Sequence, residues 1–269
     1  MLQLAKEVAI AAAYEAGRMI KHRFGTLISI DEKDEHGDVV TEVDHAAEGI
    51  ILKKIKSVFP EHRIRSEEAG DNEMTSEWLW LVDPLDGTNN FAAAMPLFAV
   101  SITLMDGLRP VVAVIYEPMT DRLFTTVAGE GAWCNGQALL AEQARPMKKA
   151  KVGWIQGHQV QNRPTAVKLR HYIDVEAKRM MRLWAPTLQW SMLARGDLDA
   201  IIVYDSEGED LYSGILLVLE AGYSVMDFDG HLFNGVKESP YLIACLPEHA
   251  PYFLDLVKTG LTASEAGKD

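Results

Sequence analysis

Two carboxylates, a main-chain bend and a set of small polar residues fall within one six-residue stretch, Asp83-Pro84-Leu85-Asp86-Gly87-Thr88. The apolar segment before it, Trp78-Leu79-Trp80-Leu81-Val82, reads as a short buried strand, so Asp83 is expected to leave the sheet at its end. Pro84 fixes the backbone, Leu85 offers a carbonyl oxygen, and Gly87 permits a tight turn. Thr88-Asn89-Asn90 is a good helix start ahead of Phe91-Ala92-Ala93-Ala94. Hard divalent cations take such oxygens, and a phosphate takes the free amides of a helix N-terminus. The same residues also make an ordinary strand–turn–helix corner with Asp86 as its cap, so alone they do not decide the chemistry.

Other acidic segments are open in the same way. Glu67 and Glu68, in Ser66-Glu67-Glu68-Ala69-Gly70, follow a helix and as a bare pair read as solvated surface. Asp44 closes Asp38-Val39-Val40-Thr41-Glu42-Val43-Asp44 at a helix start, where it is either a cap or a ligand. Asp210 precedes a helix with almost no polar residues and carries the same two readings. Side-chain nucleophiles have no comparable support, because none of the eight His residues lies near residues 83–88 in sequence. The spacing does not match an EF-hand loop, and no Gly-rich phosphate loop ending in Lys-Ser/Thr is present.

The elements that must position these groups follow from periodicity. Residues 2–24 read as an amphipathic helix with Leu4, Val8, Ala11, Ala12, Met19 and Ile20 inward and Gly25 as its stop. A second helix spans about residues 44–58, with Ala47, Ile50, Ile51, Ile55 and Val58 on one side, and Pro60 ends it. Residues 98–105 and 111–116 form an antiparallel hairpin, and 123–127 adds a strand before the turn-rich segment 129–136. The polar stretch 138–151 is the expected boundary between sub-lobes 1–145 and 146–269. Its basic run Met147-Lys148-Lys149-Ala150-Lys151 reads as a solvated approach to a strand. Beyond it come a strand at 152–155, helices at 164–177 and 187–194, a strand at 200–204 and a buried helix at 211–221 capped by Gly222. A strand at 242–246 leads to a last helix, and residues 262–269 read as disordered. This order predicts stacked helix and sheet layers, an α+β arrangement.

Composition narrows the function. The 269 residues are 48% hydrophobic, enough for a substantial core. A net charge of −13, from 39 acidic against 26 basic residues, opposes nucleic-acid backbones, so no nucleic-acid partner is expected. No run of eighteen uncharged apolar residues marks a membrane span, and residues 1–7 lack the layout of a secretion signal. Cys134 and Cys245 form no metal-type spacing or disulfide framework, so a cytoplasmic setting is expected. An acidic protein that handles phosphate needs bound cations.

Taken together, Asp38 to Asp44, Glu67-Glu68, Asp83 to Asn90 and the helix around Asp210 resemble the inositol monophosphatase family, in order and approximate spacing. Pro96-Leu97-Phe98-Ala99-Val100-Ser101-Ile102, Gly129-Glu130-Gly131-Ala132 and Asn135-Gly136 extend the resemblance, which is strongest over residues 30–136. It implies the layered α-β-α-β-α sandwich of the inositol monophosphatase/fructose-bisphosphatase type and a lithium-sensitive, homodimeric, Mg²⁺-dependent phosphatase of a small phosphorylated substrate. Glu67, Asp83 and the Leu85 carbonyl would bind one Mg²⁺, and Asp83, Asp86 and Asp210 a second; some members use a third near Glu67. Thr88 with Asp44 would orient and deprotonate the attacking water, with Glu68 assisting through solvent. The amides of Gly87 and Thr88 would hold phosphate oxygens, Asp86 would also face the substrate, and Lys33 would lie on the approach.

Three positions depart from the family's pattern. Glu209 stands where Trp usually precedes the distal Asp, and Tyr212 replaces a small residue at a close helix contact. Val203 falls where inositol-hydrolysing relatives carry an acid that contacts sugar hydroxyls, and valine cannot accept those bonds. Asp205 or Glu207 is a candidate replacement. These changes point to a sugar phosphate, a nucleotide 3′-phosphate or a nicotinamide dinucleotide phosphate instead of an inositol phosphate. The altered surroundings of Asp210 also leave open a degenerate relative that acts as a scaffold or regulator without turnover.

Overall fold

The computed structural model describes residues 1–33, 37, 39–141, 144–206, 208–236 and 240–265. The chain opens with α1 (Leu2–Arg23), the antiparallel pair β1 (Ile30–Glu32) and β2 (Val39–Thr41), and α2 (Glu42–Val58). It continues through β3 (Arg63–Ser66), β4 (Gly70–Asp71), β5 (Trp78–Asp86) and the short helix α3 (Thr88–Ala92). A meander follows, made of β6 (Ala99–Asp106), β7 (Arg109–Glu117), β8 (Arg122–Val127), β9 (Ala132–Cys134) and β10 (Gln137–Leu139). The second half alternates: β11 (Lys151–Gln156), α4 (Pro164–Glu176), β12 (Arg179–Met181), α5 (Pro186–Ala194), β13 (Ala200–Tyr204) and α6 (Leu211–Glu220). It closes with β14 (Ser224–Asp227), β15 (Tyr241–Cys245) and α7 (Ala250–Glu265).

Strands β3 to β10 build an eight-stranded sheet in the order β10-β9-β8-β7-β6-β5-β3-β4, antiparallel except where β3 meets β5. Strands β11 to β15 build a five-stranded sheet, β12-β11-β13-β15-β14, whose first three members are parallel. Both sheets are apolar on both faces, and the two-residue period sorts their side chains into layers. Along β6 and β7, Val100, Ile102, Val112 and Val114 pack under α1 and α2, while Ala99 and Ile115 face α5 and α6. Along β13, Ile201 and Val203 face the same middle helices from the other side, and Ala200 and Ile202 pack with α4 and α7. The result is helices, sheet, helices, sheet, helices, as the resemblance implies.

Several helix faces differ in detail from the periodicity reading. In α1, Leu4 and Ala11 are exposed, and Ala5, Ala9, Ala13, Ala16 and Gly17 turn inward. The small residues matter because Gly17 lies against the Tyr116 ring, with no room for a side chain. Val58, expected inside, is 40% exposed at the end of α2, where the chain turns away. Helix α7 runs to Glu265, so the tail expected to be irregular from Thr262 is helical over residues 262–265, and the remainder lies outside the described residues. No helix among the described residues is long and apolar enough to cross a membrane. Both cysteines are free.

Helix α6 is buried from Leu211 to Val218 because a sheet covers each side of its layer. Its tightest contact is Gly214, where a Cβ would come within 2.1 Å of the buried Trp190 ring. The close-packed position is thus Gly214 and not residue 212; the Tyr212 ring is buried in the middle layer, 6.4 Å from that of Phe233. Gly214→Ala is expected to destabilise the protein by roughly 1–3 kcal/mol through overpacking, read as a lower denaturation midpoint. An unchanged midpoint would show that α5 and α6 separate without cost.

A second test concerns His62, whose Nδ1 accepts a 3.1 Å bond from Trp80 Nε1 and whose ring stacks on Phe59. Burial holds its pKa below the usual value of 6.5. The folded state therefore prefers the neutral ring, and this contribution is complete above that value and lost as the pH falls through it. Urea melts between about pH 7.5 and pH 5 should show stability decreasing with acidity, with a shallower slope in His62→Gln. Equal slopes would remove His62 from the pH dependence.

Candidate active site

The site grows from the end of β5. The strand does not stop at Val82 but continues through Asp86, with Asp83 opposite Ser101, Asp86 opposite Ala99 and an irregularity between them. Gly87 then takes φ +103°, a left-handed conformation, and caps α3. A Cβ there would sit 2.8 Å from the Leu97 carbonyl oxygen, so only glycine fits. Asp86 is consequently not the helix cap. Its Oδ2 accepts from the Thr187 amide at 2.7 Å and from the Thr187 hydroxyl, which ties this corner to the start of α5.

Behind the corner stands α2. Its N-cap is Thr41, and Asp44 is the third residue of a capping box, its Oδ2 accepting from the Thr41 amide at 2.9 Å and from the Thr41 hydroxyl. The other carboxylate oxygen, Oδ1, lies 2.8 Å from Thr88 Oγ1. Thr88 Oγ1 is also 2.9 Å from the Leu85 carbonyl, and its single proton goes to one acceptor at a time. Burial raises the proton affinity of Asp44 against the lowering effect of its bonds to Thr41 and Thr88. Of the segment leading to Asp44, residue Asp38 lies outside the described residues.

Glu67, Asp83, Leu85, Asp86, Gly87, Thr88 and Asp210 line one cleft of about 430 Å³. Burial pushes the Asp83 carboxyl well above the usual carboxylate range, and Glu67, Asp86 and Asp210 add to it. The Asp210 carboxyl is raised in the same way by burial, then by Asp86, Glu67 and Glu209. Asp86 is pushed up to about 7 by burial, against the bonds from Thr187. Asp210 occupies the N-cap position of α6 but makes no capping bond, so its carboxyl is not consumed there. Neither Asp83 nor Asp210 has a basic partner among the described residues. Crowded, desolvated carboxylates stay ionised only with cations among them. A donor set of carboxylates and one carbonyl suits hard oxygen-seeking divalent metals, so these residues fit Mg²⁺.

Lys33 and Glu68 stand on the flank of this group. Lys33 Nζ donates to Glu67 Oε1 at 2.7 Å and to Glu68 Oε1 at 2.5 Å. Burial would lower the lysine's pKa, but the two glutamates outweigh it and hold it above its ordinary value. Burial pushes Glu68 to about 7, against the Lys33 contact. Glu68 is therefore anchored and largely shielded, while Glu67 stays exposed with Lys33 bound to it.

The sequence model of the inositol monophosphatase family matches residues 1–259. The chain belongs to this family. It is 37% identical over 238 residues to inositol monophosphatase 2 of Solanum lycopersicum, covering 85% of this chain and 89% of that one. It is 34% identical over 221 residues to a fructose-1,6-bisphosphatase/inositol-1-monophosphatase of Aquifex aeolicus, covering 80% and 83%. Among solved structures, the extragenic suppressor protein suhB of Bartonella henselae superposes with a TM-score of 0.88 at 28% identity, over 96% of this chain and 99% of that one.

The departures from the family pattern have visible consequences. Glu209, in place of Trp, forms an ion pair with Arg65 at 2.8 Å and so ties the distal loop to β3, the strand that leads to Glu67. Val203 is fully buried in the middle layer. Asp205, a candidate replacement acid, bonds Arg163 at 3.0 Å, and Glu207 lies outside the described residues. The cleft wall from the second sheet instead carries Trp154, Gln156, Arg182 and Trp184, the last 60% exposed.

Sequence reasoning missed the residues that hold the site together. Thr187 had a weak signal, a polar residue after Pro186 at a helix start. Ser101 and Ser213 had none. The Ser101 hydroxyl donates to Ser213 at 2.8 Å, and Ser213 donates to the Asp210 carbonyl at 2.8 Å, which links the partner strand of Asp83 to the start of α6. Glu48 is buried on α2, where its Oε1 accepts from Ser66 Oγ at 2.5 Å and from the amides of Glu68 and Ala69 at 3.2 and 2.8 Å. Glu48→Ala strands all three donors. The expected result is a loss of roughly 1–3 kcal/mol together with faster hydrogen exchange at the amides of residues 68 and 69. Unchanged exchange there would show that the turn holds itself.

Proposed function

We propose that this chain is a Mg²⁺-dependent phosphomonoesterase that hydrolyses a small phosphorylated metabolite with an activated water. The observation that carries this reading is the meeting of Glu67, Asp83, Asp86 and Asp210 in one cleft whose floor also holds the Thr88–Asp44 pair. Glu67, Asp83, the Leu85 carbonyl, Asp86 and Asp210 would hold two Mg²⁺ ions, with a third near Glu67. When bound, these ions supply positive charge that offsets the phosphate and the leaving oxygen and make water easier to deprotonate.

The chain's own groups do the rest. With the Thr88 proton directed at Asp44, the Thr88 oxygen keeps its lone pairs for a water and can accept that water's proton as its own moves to the carboxylate. Asp44 cannot swing away, because Thr41 grips its other oxygen through two bonds. The amides of Gly87 and Thr88 at the α3 tip would steady the phosphate oxygens. Lys33 braces Glu67 and Glu68 and offsets part of the acidic charge at the approach. Lithium sensitivity, a homodimer and a reducing compartment belong to the same reading and rest on family membership and the two free cysteines. So does a division into sub-lobes 1–145 and 146–269, supported by one sheet ending at Leu139 and the other beginning at Lys151.

The substrate we favour is not an inositol phosphate. The position expected to carry an acid that grips sugar hydroxyls is Val203, which is packed in the core, while the cleft wall presents the exposed Trp184 indole, Gln156 and Arg182. Sugar phosphates, nucleotide 3′-phosphates and nicotinamide dinucleotide phosphate fit that wall better. A phosphate-release panel with Mg²⁺ should rank one of them above inositol 1-phosphate, and inositol 1-phosphate as the clear best substrate would defeat the assignment. In the same assay Asp83→Asn and Thr88→Val are each expected to reduce turnover by about 100-fold or more, and chelation to abolish it. Turnover that survives both substitutions would overturn the roles assigned to Asp83 and Thr88, and no turnover on any ester would overturn the hydrolase reading and favour a scaffold.

A further inference from the structure

The five-stranded sheet has a cleft at each end. At the carboxyl ends of its parallel strands, where Gln156 closes β11 and Arg182 follows β12, lies the carboxylate cleft. At the amino ends of the same strands lies a second cavity, also of about 430 Å³. Its wall brings together Arg145, Lys148, Lys149, Lys151, Lys178 and His249. The run at residues 147–151 reads along the chain as a solvated approach to β11. In the fold it meets Lys178, which precedes β12, and His249, which follows β15.

Charge makes this cavity unusual. The protein carries −13 overall, yet five of its 26 lysines and arginines face this one hollow. Asp199 is the single carboxylate on the wall, and its Oδ2 already accepts the Lys151 amide at 2.6 Å. Lys148, Lys149 and Lys178 have no carboxylate partner among the described residues. Those three lysines repel one another, and an anion among them would relieve that repulsion. An independent sign comes from His249. Its Nε2 lies 2.9 Å from the Arg145 carbonyl, which can only accept, so Nε2 carries the proton. Its Nδ1 is buried and has no hydrogen-bond partner among the described residues. That atom is free to accept from a ligand hydroxyl or, in the charged ring, to donate to an anionic oxygen.

We propose that this cavity is a binding site for a small polyanion carrying two or more phosphate or carboxylate groups. The volume is that of a small-molecule site. The basic residues curve around a hollow instead of forming the extended stripe that a nucleic-acid backbone follows. The wall holds one carboxylate and so lacks the oxygen set that would cage divalent cations, which makes it a place of binding and not of hydrolysis. Because β11, β12 and β13 run from one cleft to the other, an anion held here would brace the strands that end in the wall of the carboxylate cleft.

The test is calorimetric titration of inorganic tripolyphosphate into the Mg²⁺-loaded protein, with three variants alongside. Lys149 and Lys178 are exposed, so K149E/K178E keeps the fold, checked by its melting curve. Binding should weaken by roughly tenfold or more in K149E/K178E, by a smaller factor in K149Q/K178Q, and by less than about twofold in Asp83→Asn. The affinity should also fall with added salt. Equal binding in wild type and both lysine variants would overturn the proposal, as would loss of binding only in Asp83→Asn, which would place the anion in the carboxylate cleft. Tighter binding of a single-stranded RNA that needs the same lysines would overturn the small-ligand assignment.

Discussion

Carboxylates that are both buried and close together repel, and the arrangement of this molecule can be understood as the means of holding them against that repulsion. Asp83, Asp86 and Asp210 come from the end of one strand and the start of a helix 124 positions further on, with Glu67 arriving from a turn beside them. In a low-dielectric cleft each raises the proton affinity of its neighbours. Left to themselves the groups would separate or neutralise. They are held by bonds that do not involve the crowded oxygens of a partner acid: Thr187 on Asp86, the Ser101–Ser213 relay on the Asp210 main chain, and Glu48 under the Glu67 turn.

The layered fold supplies the rigidity that such holding needs. Helix α6 has nowhere to go but between the two sheets, since its sides from Leu211 to Val218 are buried. Its N-terminus is thereby fixed, and with it Asp210. Gly214 lets the helix close on Trp190, and Gly87 lets β5 turn into α3 against the Leu97 carbonyl. Each marks a place where backbone must approach a neighbour more closely than a Cβ allows, and Gly87 also supplies the left-handed φ of +103° that the turn needs. The electrostatics of the site therefore depend on steric details at uncharged residues.

Much of the candidate site is legible along the chain because its parts are local. Asp83, Leu85, Asp86, Gly87 and Thr88 lie within six residues, and the strand–turn–helix signals around them are strong. Strand and helix positions in the second half are close to the periodicity reading, β13 and α5 especially, since apolar runs there are bounded by Gly, Pro and charge. Less visible are the short strands β4, β9, β10 and β12, whose two or three residues carry no period. The inward face of α1 is misjudged because alanine is compatible with either side of a helix. Glu68 reads as a surface charge, and only its contact with Lys33 gives it another meaning; Glu48 carries no signal along the chain, and its role appears only where Ser66 reaches it.

By itself the sequence determined the family, the layered class, and which oxygen-bearing residues were available for a cation or a phosphate. Those are consequences of residue type and short-range spacing, which a linear chain carries intact. The tertiary structure alone decided that Glu67 and Asp210 reach Asp83, that Thr187, Ser101, Ser213 and Glu48 hold them, and that a basic run gathers with Lys178 and His249 at the far end of the sheet. Contacts between residues a hundred positions apart follow from how sheets and helices pack, and packing depends on every buried side chain at once.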